Sequence, residues 1–230
     1  MKPNLEEHPR PTFLSDFILG SQDGLVNVLG ILLGLVAANA SPHIIIIAAL
    51  AALAAESISM GAVAYTSTLS RRHLYLSEVE RETMEMRVVP EMEREEVRVV
   101  LRKWGYQGDE VEEMLKRIEA KPKAMLDIMM AFELNLAEVP EGAPLQSLQV
   151  VLLATVVGSF IPLLPFFFLG NDIRTAAYIA VGLSAAMLFA VGWYEARTTL
   201  GSTWHSALRM ILIGLGAGFA GFLVGTFLGH

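Results

Sequence analysis

Long apolar stretches dominate the hydrophobic pattern of the chain, and they predict helices that cross a membrane. A transmembrane helix needs roughly 17–25 apolar residues, and five stretches approach or exceed this length. We therefore predict an all-α, polytopic membrane protein with five spans. The predicted spans are about Phe17–Ala38, Ile44–Thr66, Leu148–Leu169, Thr175–Tyr194 and Ala207–Leu228.

The region between the second and third spans is polar and has a helical period throughout. We expect span two to continue as a helix as far as Val89, because the residue before a proline disfavours the α conformation. Three further helices are predicted over Glu91–Trp104, from an N-cap at Asp109 to before Pro122, and over Ala124–Leu136. The predicted organisation is spans one and two in residues 1–69, a helical domain in 70–142, and spans three to five in 143–230.

Composition and charge agree with a membrane protein. Hydrophobic residues make up 53% of the chain and charged residues 18%, and the mean hydropathy is +0.49. This argues against a soluble or disordered chain. The absence of cysteine excludes thiolate metal sites, and the net charge of −7 argues against nucleic-acid binding.

The placement of basic residues predicts the orientation of the spans, because cytoplasmic loops carry an excess of Lys and Arg. The polar insert holds 12 basic residues, and Lys2, Arg10, Arg197 and Arg209 belong to the same side. The opposite loops offer only Arg174. We predict that the N-terminus and the insert are cytoplasmic and that the C-terminus lies outside.

Glycines recur at four-residue spacing in the first and last spans, for example Gly30/Gly34 and Gly221/Gly225. Small residues let transmembrane helices approach closely. The pattern predicts either tight packing within one bundle or a seam between two copies of the chain.

Paired carboxylates in the insert suggest a metal site. Glu82/Glu85 and Glu93/Glu96 are each spaced i, i+3, which places both members on one side of a helix, and the Pro90 turn folds the second helix back on the first. Helical bundles hold divalent metals in this way. The alternative is that such runs are exposed helix faces with local ion pairs.

The last predicted helix of the insert adds Met129, Met130 and Glu133 in an otherwise apolar run. A site that mixes carboxylate oxygen with thioether sulfur favours Fe²⁺ or a similar transition ion over Mg²⁺ or Ca²⁺. The alternative for the methionines is ordinary core filling, whereas an acid among apolar residues needs a partner.

Two acids lie inside predicted spans. An acid near the bilayer centre costs roughly 2.5–3.5 kcal/mol, so Asp23 and Glu56 are candidates for an ion path. Met60 follows Glu56 at i, i+4 on the same face, with serines nearby. Asp23 has a structural alternative, as an acid bonded to Gln22, Asn27 or a serine.

Two prolines in the third span and the absence of catalytic motifs complete the pattern. We expect Pro162 and Pro165 to break the span and to free backbone carbonyls, which either line a cavity or kink the helix. The sequence contains no phosphate-binding loop, Ser/His/Asp arrangement or His-Glu-x-x-His motif. We therefore predict a protein that is not an enzyme and has no organic cofactor.

Several of these motifs together resemble the vacuolar iron transporter family. They are Asp23-Gly24-Leu25-Val26, Ser57-Ile58-Ser59-Met60-Gly61, the glutamate-rich insert, Met129-Met130 with Glu133-Leu134, Pro162/Pro165, and Leu208-Arg209-Met210 before a glycine-rich last span. The resemblance runs from about Phe13 to the C-terminus. It implies five spans, a homodimer, a cytoplasmic metal-binding domain and proton-coupled export of Fe²⁺, with Zn²⁺, Co²⁺ or Mn²⁺ as possible surrogates.

The resemblance also implies site residues. Its metal ligands in the insert are Glu82, Glu85, Glu93, Glu96, Met129, Met130 and Glu133, and its membrane path includes Asp23 and Met60. Family members often carry an acid where this chain has Ala52 or Ala64. Glu56 is therefore a shifted equivalent, or this branch prefers another ion.

The location and the alternatives to transport complete the expectations. The chain is similar to a compact prokaryotic form in the cell membrane, with a vacuolar membrane as the eukaryotic alternative. A membrane-anchored module that buffers or senses iron without transport is the second hypothesis. A ferritin-type di-iron enzyme ranks last, because the insert contains no Glu-x-x-His pair.

Overall fold

The computed structural model describes residues 11–169, 172–198 and 202–229, and within these ranges every regular element is a helix. The helices are α1 (Pro11–Ala37), α2 (Pro42–Val88), α3 (Pro90–Lys103), α4 (Asp109–Glu119), α5 (Pro122–Ile128), a π-helical turn (Met129–Glu133), α6 (Ala143–Phe168), α7 (Ile173–Thr198) and α8 (Thr203–Leu228). Helices α1, α2, α6, α7 and α8 are long and apolar enough to cross a membrane. The prediction of five spans in an all-α protein is confirmed.

The described residues form two compact units. The span unit comprises the described residues up to Tyr65 and those from Pro144 onward, and the helical unit comprises Thr66–Ala143. Residues 1–10 and His230, on which the predicted topology partly depends, lie outside the described residues.

The core of the span unit forms where small and aliphatic side chains meet. Val28, Leu29 and Leu32 of α1 are fully buried against residues from α2, α6 and α7. Their partners are Ile45, Ala49, Leu163, Phe166, Ala176, Ala177 and Ala180. Alanine on α7 lets this helix approach the leucines of α1 closely, as is typical of helix packing in membranes.

The glycine pattern packs helices of the same chain against each other. Gly221 and Gly225 of α8 lie against the backbone of Gly30 and Gly34 on α1. Earlier on α1, a β-carbon at Gly24 would lie 2.6 Å from the Oγ of Ser159 on α6. The first of the two interpretations, tight packing within one bundle, is confirmed for these glycines.

The prolines of the third span do not break it, which corrects the sequence prediction. Helix α6 continues through Pro162 and Pro165, and both side chains are buried. A proline inside a helix lacks the N–H that would pair with the carbonyl four residues earlier. Packing on the neighbouring helices therefore holds α6 together across this local defect.

The helical unit has its own apolar core, built from Val97 and Leu101 of α3, Val111 and Leu115 of α4, Met125 and Met129. Ion pairs reinforce the contact between α3 and α4: Arg98 Nε lies 2.7 Å from Glu112 Oε1, and Arg94 pairs with Glu119. The predicted boundary at Val89 is confirmed, and α3 ends at Lys103, one residue before the predicted end at Trp104.

Two local predictions in the helical unit are wrong. Asp109 is the first residue of α4 rather than its N-cap, because Gly108 occupies the cap with φ of +54°. The predicted helix Ala124–Leu136 is instead α5 followed by a π-helical turn. The turn is closed by the N–H of Leu134, which donates to the carbonyl of Met129 at 3.1 Å, and Asn135 follows with φ of +53°.

Candidate functional site

Three of the predicted glutamates in the helical unit converge on one point. Carboxylate oxygens of Glu82 on α2 and of Glu93 and Glu96 on α3 all lie within 4.8 Å of one another. Glu82 and Glu93 are fully buried, and Glu96 is half-buried. The chain reverses at Pro90 between α2 and α3, which brings Glu93 and Glu96 close to Glu82.

Glu133 belongs to the same cluster, and Glu85 lies at its rim. The π-helical turn places the Glu133 carboxyl within interaction range of Glu96 and Glu82. Glu85 is 38% exposed and lies 3.8 Å from Arg81, which also contacts Glu82 at 3.2 Å. We refer to Glu82, Glu93, Glu96 and Glu133 as the carboxylate cluster.

Several buried oxygens of this cluster lack hydrogen-bond donors. One carboxylate oxygen in each of Glu82, Glu93 and Glu133 is buried without a hydrogen-bond partner. Leaving a buried charged acceptor unsatisfied costs several kcal/mol in principle. A divalent cation satisfies such oxygens, so the arrangement fits a hard or borderline metal ion.

Protons are the other way to neutralise the cluster. Burial, and then the charges of Glu96, Glu82 and Glu85, raise the pKa of Glu93 to about 7. Burial, and then Glu96 and Glu82, also raise the pKa of Glu133 to about 7, against the opposing effect of Arg81. Burial raises the pKa of Glu96 as well.

We predict that the metal-free helical unit loses stability as the pH rises from 4.5 to about 7. The folded unit retains protons on Glu93 and Glu133 that the unfolded chain releases near the ordinary glutamate pKa of 4.5. The free energy of unfolding falls as the pH rises wherever the folded state binds more protons than the unfolded state. Hydrogen exchange of α3, corrected for the intrinsic rate, should show opening that is at least about tenfold more frequent above this window than below it.

The matched control for this prediction is the Glu93→Gln/Glu133→Gln double variant. Its glutamines cannot titrate, so its opening should vary little across the same pH window. Saturating Co²⁺ should also suppress the rise in the unsubstituted protein. A pH profile that is identical in both proteins would contradict the assignment of the effect to these two acids.

The methionines of the predicted site are buried. Met129 is 0% exposed and packs in the apolar core beside Leu101 and Met125. Met130 is 2% exposed. Met129 therefore has the packing role that the sequence analysis gave as its alternative, and a ligand role for either sulfur remains a prediction.

The acidic run after Pro90 divides into two faces. Glu93 and Glu96 turn inward, whereas Glu91 is paired with Arg94 and Glu95 lies 2.9 Å from Arg102. The interpretation as an exposed, ion-paired face therefore holds for Glu91 and Glu95. Their spacing of four residues puts Glu91 and Glu95 on one face of α3. This face is opposite the one that carries Glu93 and Glu96.

A second acidic group lies inside the span unit. Asp23 on α1 is half-buried, and its carboxyl lies within interaction range of the Glu56 carboxyl on α2. We refer to Asp23 and Glu56 as the acid pair. The Oε2 atom of Glu56 is buried without a hydrogen-bond partner.

The polar residues near Glu56 on α2 lie on two sides of the helix. Met60 is half-buried, as Glu56 is, and lies one turn further along the helix. Ser57 is 3% exposed, whereas Ser59 is exposed. Ser59 and Met60 follow Glu56 at i, i+3 and i, i+4 and therefore share its face, whereas Ser57 lies on another side.

Asn27 has a partner that the sequence does not predict. The sequence offers it only as a partner for Asp23, but its Nδ2 donates a hydrogen bond to Oε1 of Glu56. The signal was available in the spacing, since Asn27 follows Asp23 at i, i+4 on one face of α1. The partner on α2 is separated by 29 residues and was not predictable.

Other acids near the span ends have ordinary partners. Asp16 accepts a hydrogen bond from Ser147 at 2.6 Å, and Glu195 accepts one from Ser206 at 3.1 Å. These contacts agree with structural roles. They distinguish Asp16 and Glu195 from the acid pair.

Comparison with known proteins gives the chain its family. Residues 14–226 match the model of the VIT family. The chain is 34% identical to vacuolar iron transporter 2 of Oryza sativa subsp. japonica over 95% of its length and 90% of that protein. It is 34% identical to vacuolar iron transporter 1 of Arabidopsis thaliana, over 94% and 86% of the two chains.

A more distant relative matches the chain over a similar share of its length. The vacuolar iron transporter of Plasmodium falciparum (isolate 3D7) is 29% identical over 94% of this chain and 82% of its own length. All three relatives are named as transporters rather than enzymes, which confirms that expectation. With the five spans and the match over nearly the whole chain, the protein belongs to the VIT family.

Proposed function

We propose that this protein exports Fe²⁺ from the cytosol in exchange for protons. The observation that carries the proposal is the acid pair: two carboxyls from two different spans lie within interaction range of each other. Acids inside spans are costly and mark ion paths by default. The names of the relatives, all vacuolar iron transporters, support iron as the substrate.

Charge balance explains how the acid pair couples metal to protons. Two carboxylates in a low-dielectric environment need compensation, which one divalent cation or two protons can provide. Exchange of one Fe²⁺ for about two protons keeps the site neutral throughout the cycle. Protons from the acidic side of the membrane then displace the metal on that side.

Met60 gives the path its preference among metals. Its thioether lies one turn after Glu56 and adds a soft, neutral ligand without changing the charge balance. Such a ligand favours Fe²⁺ over the harder Mn²⁺. Zn²⁺ and Co²⁺ are surrogates with similar ligand preferences.

The carboxylate cluster in the helical unit binds the same cation before transport. Its buried oxygens without donors support this role, and Glu85 and Met130 are the next candidates around it. Carboxylates this dense repel one another unless metal or the cations of a partner intervene. We therefore propose that two copies of the chain assemble as a homodimer and complete the ligand set.

The orientation follows the basic residues. We propose that the N-terminus and the helical unit face the cytoplasm, since the insert alone carries 12 Lys and Arg residues. The C-terminus then lies outside, and the membrane is the cell membrane of a prokaryote or a vacuolar membrane. In either case the metal leaves the cytosol.

Transport in proteoliposomes tests this function. Vesicles with an acidic interior and a neutral exterior should accumulate Fe²⁺ added outside, as read by an entrapped chelating dye, and collapse of the proton gradient by nigericin should stop the accumulation. The competing hypothesis, a membrane-anchored iron buffer, predicts metal binding that saturates with protein and no signal from the entrapped dye. Accumulation that is equal with and without the gradient would contradict proton exchange.

A further inference from the structure

Asn27 lies beside the acid pair and forms a hydrogen bond to only one of the two carboxylate oxygens of Glu56. The Nδ2 of Asn27 donates to Oε1 of Glu56, while Oε2 is buried and has no hydrogen-bond partner. One oxygen of the carboxyl is therefore held and the other is unsatisfied. A buried oxygen without a donor is the one that gains most from a cation or a proton.

We propose that Asn27 is a positioning residue that holds Glu56 through Oε1 and thereby presents Oε2 to the transported ion. The inference rests on the proposed role of the acid pair in the ion path. Asn27 acts through Glu56, because the group that it directs at the carboxyl is an amide N–H, which donates a hydrogen bond and cannot bind a cation.

The chemistry of an amide suits this position. A free glutamate side chain samples several rotamers, and fixing one in advance lowers the entropic cost of binding. A lysine or arginine would hold the carboxyl as firmly, but its positive charge would compete with the metal. An amide holds the carboxyl without adding charge, so the acid pair keeps the two negative charges that match a divalent ion.

The exposure of Asn27 makes the inference testable by substitution. In the single chain its side chain is exposed, so a leucine of similar size leaves no cavity in the core and adds no polar group to a spanning helix. Loss of the hydrogen bond is then the main effect of Asn27→Leu. Asn27→Gln keeps the amide donor and is the matched control.

Kinetics in proteoliposomes give the first test. For Asn27→Leu we expect the KM for Fe²⁺ to rise by about tenfold, as for the loss of one charge-assisted hydrogen bond, with the maximal rate largely retained. Asn27→Gln should stay close to the unsubstituted protein. An unchanged KM in Asn27→Leu, or equal impairment of both variants, would overturn the positioning role.

A double-mutant cycle gives the second test. Glu56→Asp withdraws the carboxyl by one methylene and so already weakens its bond to Asn27. Adding Asn27→Leu to Glu56→Asp should then change the KM far less than it does alone, whereas purely structural damage would be additive. Failure of the proposed function is distinguished by the unsubstituted protein, which would show no proton-driven Fe²⁺ flux at all.

Discussion

Asp23→Asn is expected to abolish proton-driven Fe²⁺ transport and to leave metal binding by the helical unit unchanged. The substitution keeps the size of the side chain but removes one of the two charges that a divalent cation requires in the acid pair. Glu56→Gln should have the same effect or uncouple metal flux from the proton gradient.

The matched control for this prediction is Asp16→Asn. Asp16 lies on the same helix, but its carboxyl accepts a hydrogen bond from Ser147 near the end of the span, so transport should persist in this variant. Thermal unfolding of each variant in detergent distinguishes a role of Asp23 in the ion path from a structural role, because only the loss of a structural role lowers the unfolding temperature. Normal folding together with normal proton-driven flux in Asp23→Asn would rule out the acid pair as the ion path.

Replacing the acids of the helical unit is expected to abolish most of its metal binding. In a variant with Glu82, Glu85, Glu93 and Glu96 changed to Gln, Co²⁺ affinity measured by titration calorimetry of the full chain should fall roughly 100-fold, because affinity follows the number of charged oxygen ligands. Weak binding at the acid pair should remain. Transport should slow rather than vanish at saturating Fe²⁺.

The control for the glutamate variant changes the same number of charges on the outer faces. Glu91, Glu95, Glu110 and Glu113 are exposed, and three of them are paired with arginines at the surface. Their combined change to Gln should reduce affinity by little. Equal losses of Co²⁺ affinity in the two variants would mean that negative charge in general, rather than the carboxylate cluster, is responsible for the binding.

The sequence was sufficient for the architecture because the relevant signals are local. Span length and hydropathy predict α1 and α6 to α8 without knowledge of their neighbours. Prolines and glycines mark the ends of α2 and α3, and the i, i+3 spacing of Glu93 and Glu96 predicts their shared face. The convergence of these acids on Glu82 required only that the chain reverse at Pro90.

What the sequence did not predict depends on packing. The π-helical turn at Met129 has the same residue pattern as an α-helix, and its extra residue is stabilised by burial of both methionines. The continuity of α6 through Pro162 depends on neighbouring helices. The bond from Asn27 to Glu56 joins residues on two helices, and no spacing rule connects them.

The most direct test of the account is the simultaneous measurement of Fe²⁺ and proton fluxes in one population of proteoliposomes. We expect about two protons to leave for each Fe²⁺ that enters, at a rate independent of an imposed membrane potential, because the proposed cycle exchanges one divalent cation for an equal charge of protons. The counterflow should be absent in Asp23→Asn. Fe²⁺ entry without proton exit, or entry driven mainly by the membrane potential, would contradict the account.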